Sequence, residues 1–175
     1  SLLSGNTFTV TTAHQNNLFS GPLYFIYKIS HTIKLSQHLN EVLPANHFVP
    51  VFYIGSEDAD LAELNHIYLG GEKLEWKTTQ TGAVGNMIID KELIKIISRV
   101  EGQLSVLPGG NEIVQKLKAY YKEGIKIKEA TFHFINDLFG SYGLVILLPD
   151  HEKLKAQMQD VFGDDLINQS ASQVL

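Results

Sequence analysis

The 175-residue sequence contains no cysteine, one tryptophan, two methionines and five prolines. Without cysteine the chain has no disulfide framework, no thiolate metal site and no cysteine nucleophile. That composition fits a reducing compartment. No uninterrupted apolar run approaches the roughly 18–20 residues of a helical membrane span. The longest stretches, Phe48–Ile54 and Gly143–Pro149, have strand length instead. The opening Ser-Leu-Leu-Ser-Gly-Asn lacks the basic and apolar regions of a secretory signal. Positive charge is also short: 14 Lys and Arg stand against 19 Asp and Glu, a formal net charge of −5. This argues against a nucleic-acid partner held by phosphate neutralisation.

What is present is an ordinary globular composition, 44% hydrophobic and 19% charged, in a chain long enough to bury one core. Phe8–Thr12 alternates apolar and β-branched polar residues and predicts a strand. After Ala13–Pro22, rich in Asn, Ser, Gly and Pro, apolar residues at helical spacing predict a helix from Pro22 to about Val42, with Ser20 as its cap. Phe48–Ile54 is almost wholly apolar, as in a strand covered on both faces. Strand, helix and strand make a right-handed parallel crossover. Gly70-Gly71 predicts a hairpin between His66–Leu69 and Lys73–Trp76. Helices are expected over Asp90–Leu104, Asn111–Lys122 and Glu129–Phe139, the last stopped by Gly140. A third buried strand over Gly143–Pro149 and a last helix over His151–Phe162 complete the pattern. The expected fold is α/β, a Rossmann-like parallel sheet flanked by helices with a small inserted β-hairpin. Both ends read as cut, so residues 1–175 read as a single such domain taken from a longer chain.

Ligands of open parallel sheets bind beyond the carboxyl ends of the strands. Ala13–Pro22, Gly55–Asp60 and Pro149–Glu152 occupy those places. His14, followed by Gln15, Asn16 and Asn17, lies where a helix start attracts phosphate. The alternative is an imidazole that only caps local backbone. The first strand carries neither the dinucleotide nor the P-loop glycine signature. Glu57, Asp58 and Asp60 suit a cation or a substrate ammonium, or else cap the helical turn at Leu61–Leu64. Asn65 and His66 add polar capacity nearby, but no spacing matches a standard zinc site, so no metal is expected. Thr81–Met87 is glycine-rich enough to lie against a ligand, or to be a surface turn. His31, His38, His47, His133 and His151 fall on helices or their edges, and Trp76, Tyr120 and Tyr121 read as packing.

Four stretches together resemble a known family: Thr11–Lys28, Val49–Asp60, Glu63–His66 and Leu138–Ile146. They are similar in order and spacing to the bacillithiol biosynthesis cysteine-adding enzymes, the BshC family. The resemblance implies a core like that of class I aminoacyl-tRNA synthetases and other nucleotidyltransferases, within a longer protein bearing a C-terminal coiled coil. It implies a cytoplasmic ligase that joins L-cysteine to glucosaminyl-malate, with no membrane partner and with any homodimer formed through segments absent here. His14 then takes the place of the first histidine of a phosphate-binding signature, and Asn17 that of the second. His14, Glu57 and Asp58 are the expected catalytic residues. Thr12, Gln15, Asn17, Gly21, Ser56, Asp60, Asn65 and His66 are the expected binding residues. The cofactor stays open, with ATP or ADP the candidates; were cysteine activated as an acyl-adenylate or acyl-phosphate, oriented N–H groups would stabilise the developing phosphate charge. Against the family pattern, Asn16, Ala59 and Asn86 replace a proline, a histidine and an arginine. The rival readings are a non-catalytic module binding a small anionic or thiol metabolite, and an interaction scaffold.

Overall fold

The computed structural model describes residues 2–173. Three parallel strands, β1 (Thr7–Gln15), β2 (His47–Gly55) and the strand at Val145–Leu147, form one sheet in that spatial order with β2 in the middle. β1 and β2 pair along their whole lengths, from Thr7 opposite His47 to Gln15 opposite Gly55. The first strand therefore runs further than its alternating pattern, and His14 and Gln15 are its last two residues rather than loop residues. Pairing with Ile54 and Gly55 satisfies their backbone, which a local pattern cannot show.

Helix α1 (Leu23–Val42) crosses back over the sheet. Its buried positions Phe25, Ile29, Thr32, Ile33 and Ser36 follow the helical period, and the two hydroxyls bond to carbonyls four residues back. The Phe25 ring meets the Phe52 ring edge-on at 5.1 Å. Pro22, not Ser20, is the N-cap, and no side chain caps this helix. Ser20 is excluded because its backbone is left-handed, with φ 85°.

A short helix, α2 (Leu61–Leu64), leads into the antiparallel hairpin β3 (His66–Leu69) and β4 (Glu72–Glu75). Gly70 and Gly71 have φ 58° and 82°, the two left-handed residues that a tight hairpin turn requires. Trp76 lies just past β4, with its N–H on the Asn65 carbonyl at 2.7 Å. Helices α3 (Lys91–Leu104), α4 (Gly110–Tyr120) and α5 (Ile127–Phe139) pack around Leu93, Ile97, Leu117, Ile127 and Phe134. Asp90 caps α3 as expected, its Oδ1 accepting from the Leu93 N–H at 3.0 Å. The cap of α4 is Gly109 rather than Asn111, which already lies inside the helix. α5 ends at Phe139 with Gly140 as its C-cap, as expected, and a separate tight turn, Gly140–Tyr142, follows up to Gly143.

The third sheet strand, β5 (Val145–Leu147), has only three residues and is partly exposed at the edge, so it is not the buried strand expected. The last helix is divided into α6 (Glu152–Gln157) and α7 (Gln159–Asn168), because the Met158 N–H bonds three residues back to Lys155 at 3.0 Å and tightens the turn. His47 opens β2 instead of edging a helix. Among the described residues no helix is long and apolar enough to cross a membrane.

Candidate functional site

The carboxyl ends of β1 and β2 lie side by side, so the residues that follow them meet. Gln15 Nε2 donates to Asp58 Oδ2 at 2.7 Å and lies 3.4 Å from Glu63 Oε2. The other Asp58 oxygen accepts the Asp60 main-chain N–H at 2.9 Å. These two donors, the main-chain one foremost, hold the Asp58 carboxyl below the usual range. Asp60 in turn accepts from the Glu63 N–H at 3.4 Å and caps α2. The imidazole strand end and the acidic triplet thus share one mouth of the sheet.

The glycine-rich loop closes over that mouth. The Val84 N–H bonds to the Asp58 carbonyl at 2.8 Å and the Gly85 N–H to the Ser56 carbonyl at 3.2 Å. A Cβ at Gly85 would sit 2.5 Å from the Ser56 carbonyl oxygen, so only glycine permits this approach. At Val84 and Gly85 the loop's main-chain N–H groups are bonded to the turn after β2, so this part is not a free surface turn.

Just past the ends of β1 and β2 lies a set of polar atoms without partners among the described residues. Asn16 and Ser56 are fully buried and Asn17 nearly so. Both amide atoms of Asn16, Oδ1 of Asn17 and Oγ of Ser56 have no hydrogen-bond partner among the described residues. An unpaired buried polar atom costs roughly 1–3 kcal/mol, and most such atoms in folded proteins are satisfied. All four lie at the adjacent ends of β1 and β2, shortly before α1 begins. Asn17 is held there by Gly21, where a Cβ would come within 2.5 Å of the Asn17 Cβ.

His14 is half-buried, its ring 5.3 Å from that of Phe25 and 6.0 Å from that of Tyr24. Nδ1 lies 3.3 Å from the Gln15 carbonyl oxygen. Burial, reinforced by the Lys28 ammonium, lowers its pKa against the opposing pull of the Gln15 carbonyl and Asn17. Lys28 donates to the Ala13 carbonyl and stands 5.3 Å over the Tyr24 ring. An NMR titration is expected to place the His14 midpoint below its ordinary 6.5. The unfolded chain then takes the proton first, so stability falls as pH drops from 6.5 through the folded midpoint and is constant above it. A midpoint at or above 6.5 contradicts this.

Thr12 is on the same face of β1 as His14, two residues earlier. Asn65 and His66 bond to each other, Nδ1 to Oδ1 at 3.2 Å, at the start of the hairpin whose β3 strand packs beside the Leu18–Ser20 turn. They make no hydrogen bond to Gln15 or the acidic loop. Among the described residues no three His, Asp or Glu side chains converge to hold a metal ion.

A second polar network reaches the mouth from β5 and had no local signature. Lys155 on α6 binds Glu57 at 2.8 Å and Asp150 at 2.6 Å. Asp150 also takes Lys128 of α5 at 2.7 Å and the Asn86 amide at 3.1 Å. Lys128 foremost, then Lys155 and Asn86, hold the Asp150 carboxyl far below the usual range, and Asp150 and Glu57 push the Lys155 ammonium up. Glu57, Asn86 and the strand-end position of Asp150 were legible in advance, whereas Lys128 and Lys155 were not. A groove of about 970 Å³ runs from Glu57 and Lys155 along Tyr53, Leu147 and Phe162.

The chain is similar to proteins named "Putative cysteine ligase BshC". That of Flavobacterium psychrophilum is 39% identical over 166 residues, covering 95% of this chain and 31% of the relative. That of Christiangramia forsetii is 37% identical over 174 residues, 97% and 32%. That of Cytophaga hutchinsonii is 39% identical over 174 residues, 99% and 31%. The chain spans about a third of the length of these curated relatives. Residues 1–175 match the family described as "Bacillithiol biosynthesis BshC, N-terminal Rossmann-like domain", and with its parallel sheet and inserted hairpin the chain belongs to that family.

Proposed function

We propose that this chain forms the part of a cytoplasmic cysteine ligase that binds an anionic substrate or nucleotide, in an enzyme joining L-cysteine to glucosaminyl-malate. Family membership supports the reaction class. The observation that carries the reading is the buried, unpartnered set of Asn16, Asn17 and Ser56 at the ends of β1 and β2. Of the unpartnered atoms, Asn16 Nδ2 and Ser56 Oγ can donate to a phosphate or carboxylate next to the first turn of a 20-residue helix, while Oδ1 of Asn16 and of Asn17 accept from a ligand hydroxyl or ammonium. This donor set fits a phosphate-bearing nucleotide such as ATP, whose chemistry would make one cysteine carboxylate oxygen a leaving group.

The amide forms between the cysteine carboxyl carbon and the sugar amine nitrogen, which must shed a proton. His14, kept neutral by burial, accepts that proton. Glu57, now paired with Lys155, faces the substrate ammonium, and Asp58 fixes the acidic loop through Gln15. Thr12, Asp60, Asn65 and His66 frame the mouth.

The test uses the full-length parent with cysteine, glucosaminyl-malate and ATP, with bacillithiol followed by mass spectrometry. His14→Ala is expected to lower turnover about 100-fold or more, as loss of an acid–base group does. Neutral His14→Ala and Glu57→Gln variants would refute these roles. Tight binding of the substrates without product would identify a binding module instead.

A further inference from the structure

The turn leading into α1 is bent against its own backbone preference. Phe19 has φ 52° and ψ 32°, and Ser20 has φ 85°. Each such left-handed residue costs about 1–3 kcal/mol and persists only where its surroundings over-determine it. Asn17 and Gly21, which shape the polar cradle, lie on either side.

The surroundings are unusual in one respect. Tyr121, which caps the end of α4, is buried, and its ring meets the Phe19 ring edge-on at 5.0 Å. Its hydroxyl lies 3.0 Å from Oγ1 of Thr131, itself fully buried on α5. The Phe19 main chain lies near enough to the same oxygen to draw its pKa down. Burial pushes the phenol up to about 12 against the pull of Thr131 and of the Phe19 main chain, so it stays neutral. Phenylalanine would fill the same volume without the cost of burying a hydroxyl. The oxygen therefore has a local task, and the group it reaches is the strained backbone.

We infer that Tyr121 is a positioning residue for the strand-end site. Its hydroxyl, oriented by Thr131, locks Phe19 and Ser20 in the left-handed conformation and so directs Asn17 and the first turn of α1 at an anionic group. This rests on the proposed reading that the cradle takes an anionic substrate or nucleotide.

The test uses the full-length parent and its Tyr121→Phe and Thr131→Val variants. Amide hydrogen exchange is followed by mass spectrometry over residues 17–21 and over β2. KM and kcat are measured with cysteine, glucosaminyl-malate and ATP varied in turn. Both variants should speed exchange of the turn about tenfold while leaving β2 unchanged, and raise KM for one substrate about tenfold with kcat within about twofold. Equal acceleration in β2 would reduce Tyr121 to general packing and overturn the inference. So would unchanged exchange in the turn, or a loosened turn with unchanged KM. Absence of product from the unaltered parent would refute the proposed reaction, leaving the exchange comparison to judge Tyr121.

Discussion

Gly21→Ala is expected to abolish ligand capture at the strand-end cradle and to lower stability by about 2–4 kcal/mol. Two independent constraints meet at this position. The backbone has φ 64° and ψ −139°, a combination that only glycine adopts without strain. The added methyl would stand 2.5 Å from the Asn17 Cβ and 2.8 Å from its Cγ. Asn17 cannot retreat easily, because it is nearly fully buried at the end of β1. Either the turn unwinds, with loss of the Gly21 N–H bond to the Leu18 carbonyl at 2.8 Å, or Asn17 leaves the cradle. Both outcomes disconnect α1 from the polar set. Urea unfolding and calorimetric titration of the full-length parent with ATP check the two effects. A variant that keeps both stability and binding would show that the turn tolerates a Cβ.

A larger loss of stability is expected from Trp76→Ala, about 3–5 kcal/mol. Trp76 is fully buried in the main core cluster. Its indole N–H donates at 2.8 Å to the same Asp90 oxygen that caps α3. Its main chain ties the hairpin to Asn65. Truncation thus opens a cavity, removes a hydrogen bond from the capping carboxylate and releases the seam between hairpin and helices. Trp76→Phe keeps most of the ring volume and is expected to cost about 1–2 kcal/mol for the lost hydrogen bond. For a domain stable by about 5–15 kcal/mol the alanine variant is close to unfolding. Thermal and urea denaturation separate the two variants, and near-equal losses would contradict the packing account.

Elements with strong local signals were legible in the sequence. The apolar run of β2, the paired glycines of the hairpin and the Asp90 cap each carry their own chemistry, and each stands within a residue or two of its expected place. Burial of Trp76 and Tyr121 followed from residue type in an acidic chain. Some failures were local, as with the left-handed Ser20 and the Met158–Lys155 bond that divides the last helix, and others were decided by partners distant in sequence. β1 continues through His14 and Gln15 because Ile54 and Gly55 pair with them. β5 is short because only Val145–Leu147 find partners on β2, and it is partly exposed because nothing pairs beyond it, which no local run of apolar residues reports. At the candidate site, the meeting of Gln15 with Asp58 follows from strand order alone. The unpaired state of Asn16 and Ser56 and the bridge from Lys128 to Glu57 depend on side-chain placement across four elements.

Asp150 divides its two oxygens between Lys128 and Lys155, and these two arms are unequally shielded from water. The Lys128 arm has side chains only 15% and 16% exposed, whereas the Lys155–Glu57 contact lies open at 50% and 45%. Dissolved electrolyte screens open pairs far more than sheltered ones. Rising ionic strength therefore releases Glu57 first, while the end of β5 stays pinned to α5. The α6 segment becomes the compliant arm of the mouth, and counter-ions set how much negative charge the crevice presents.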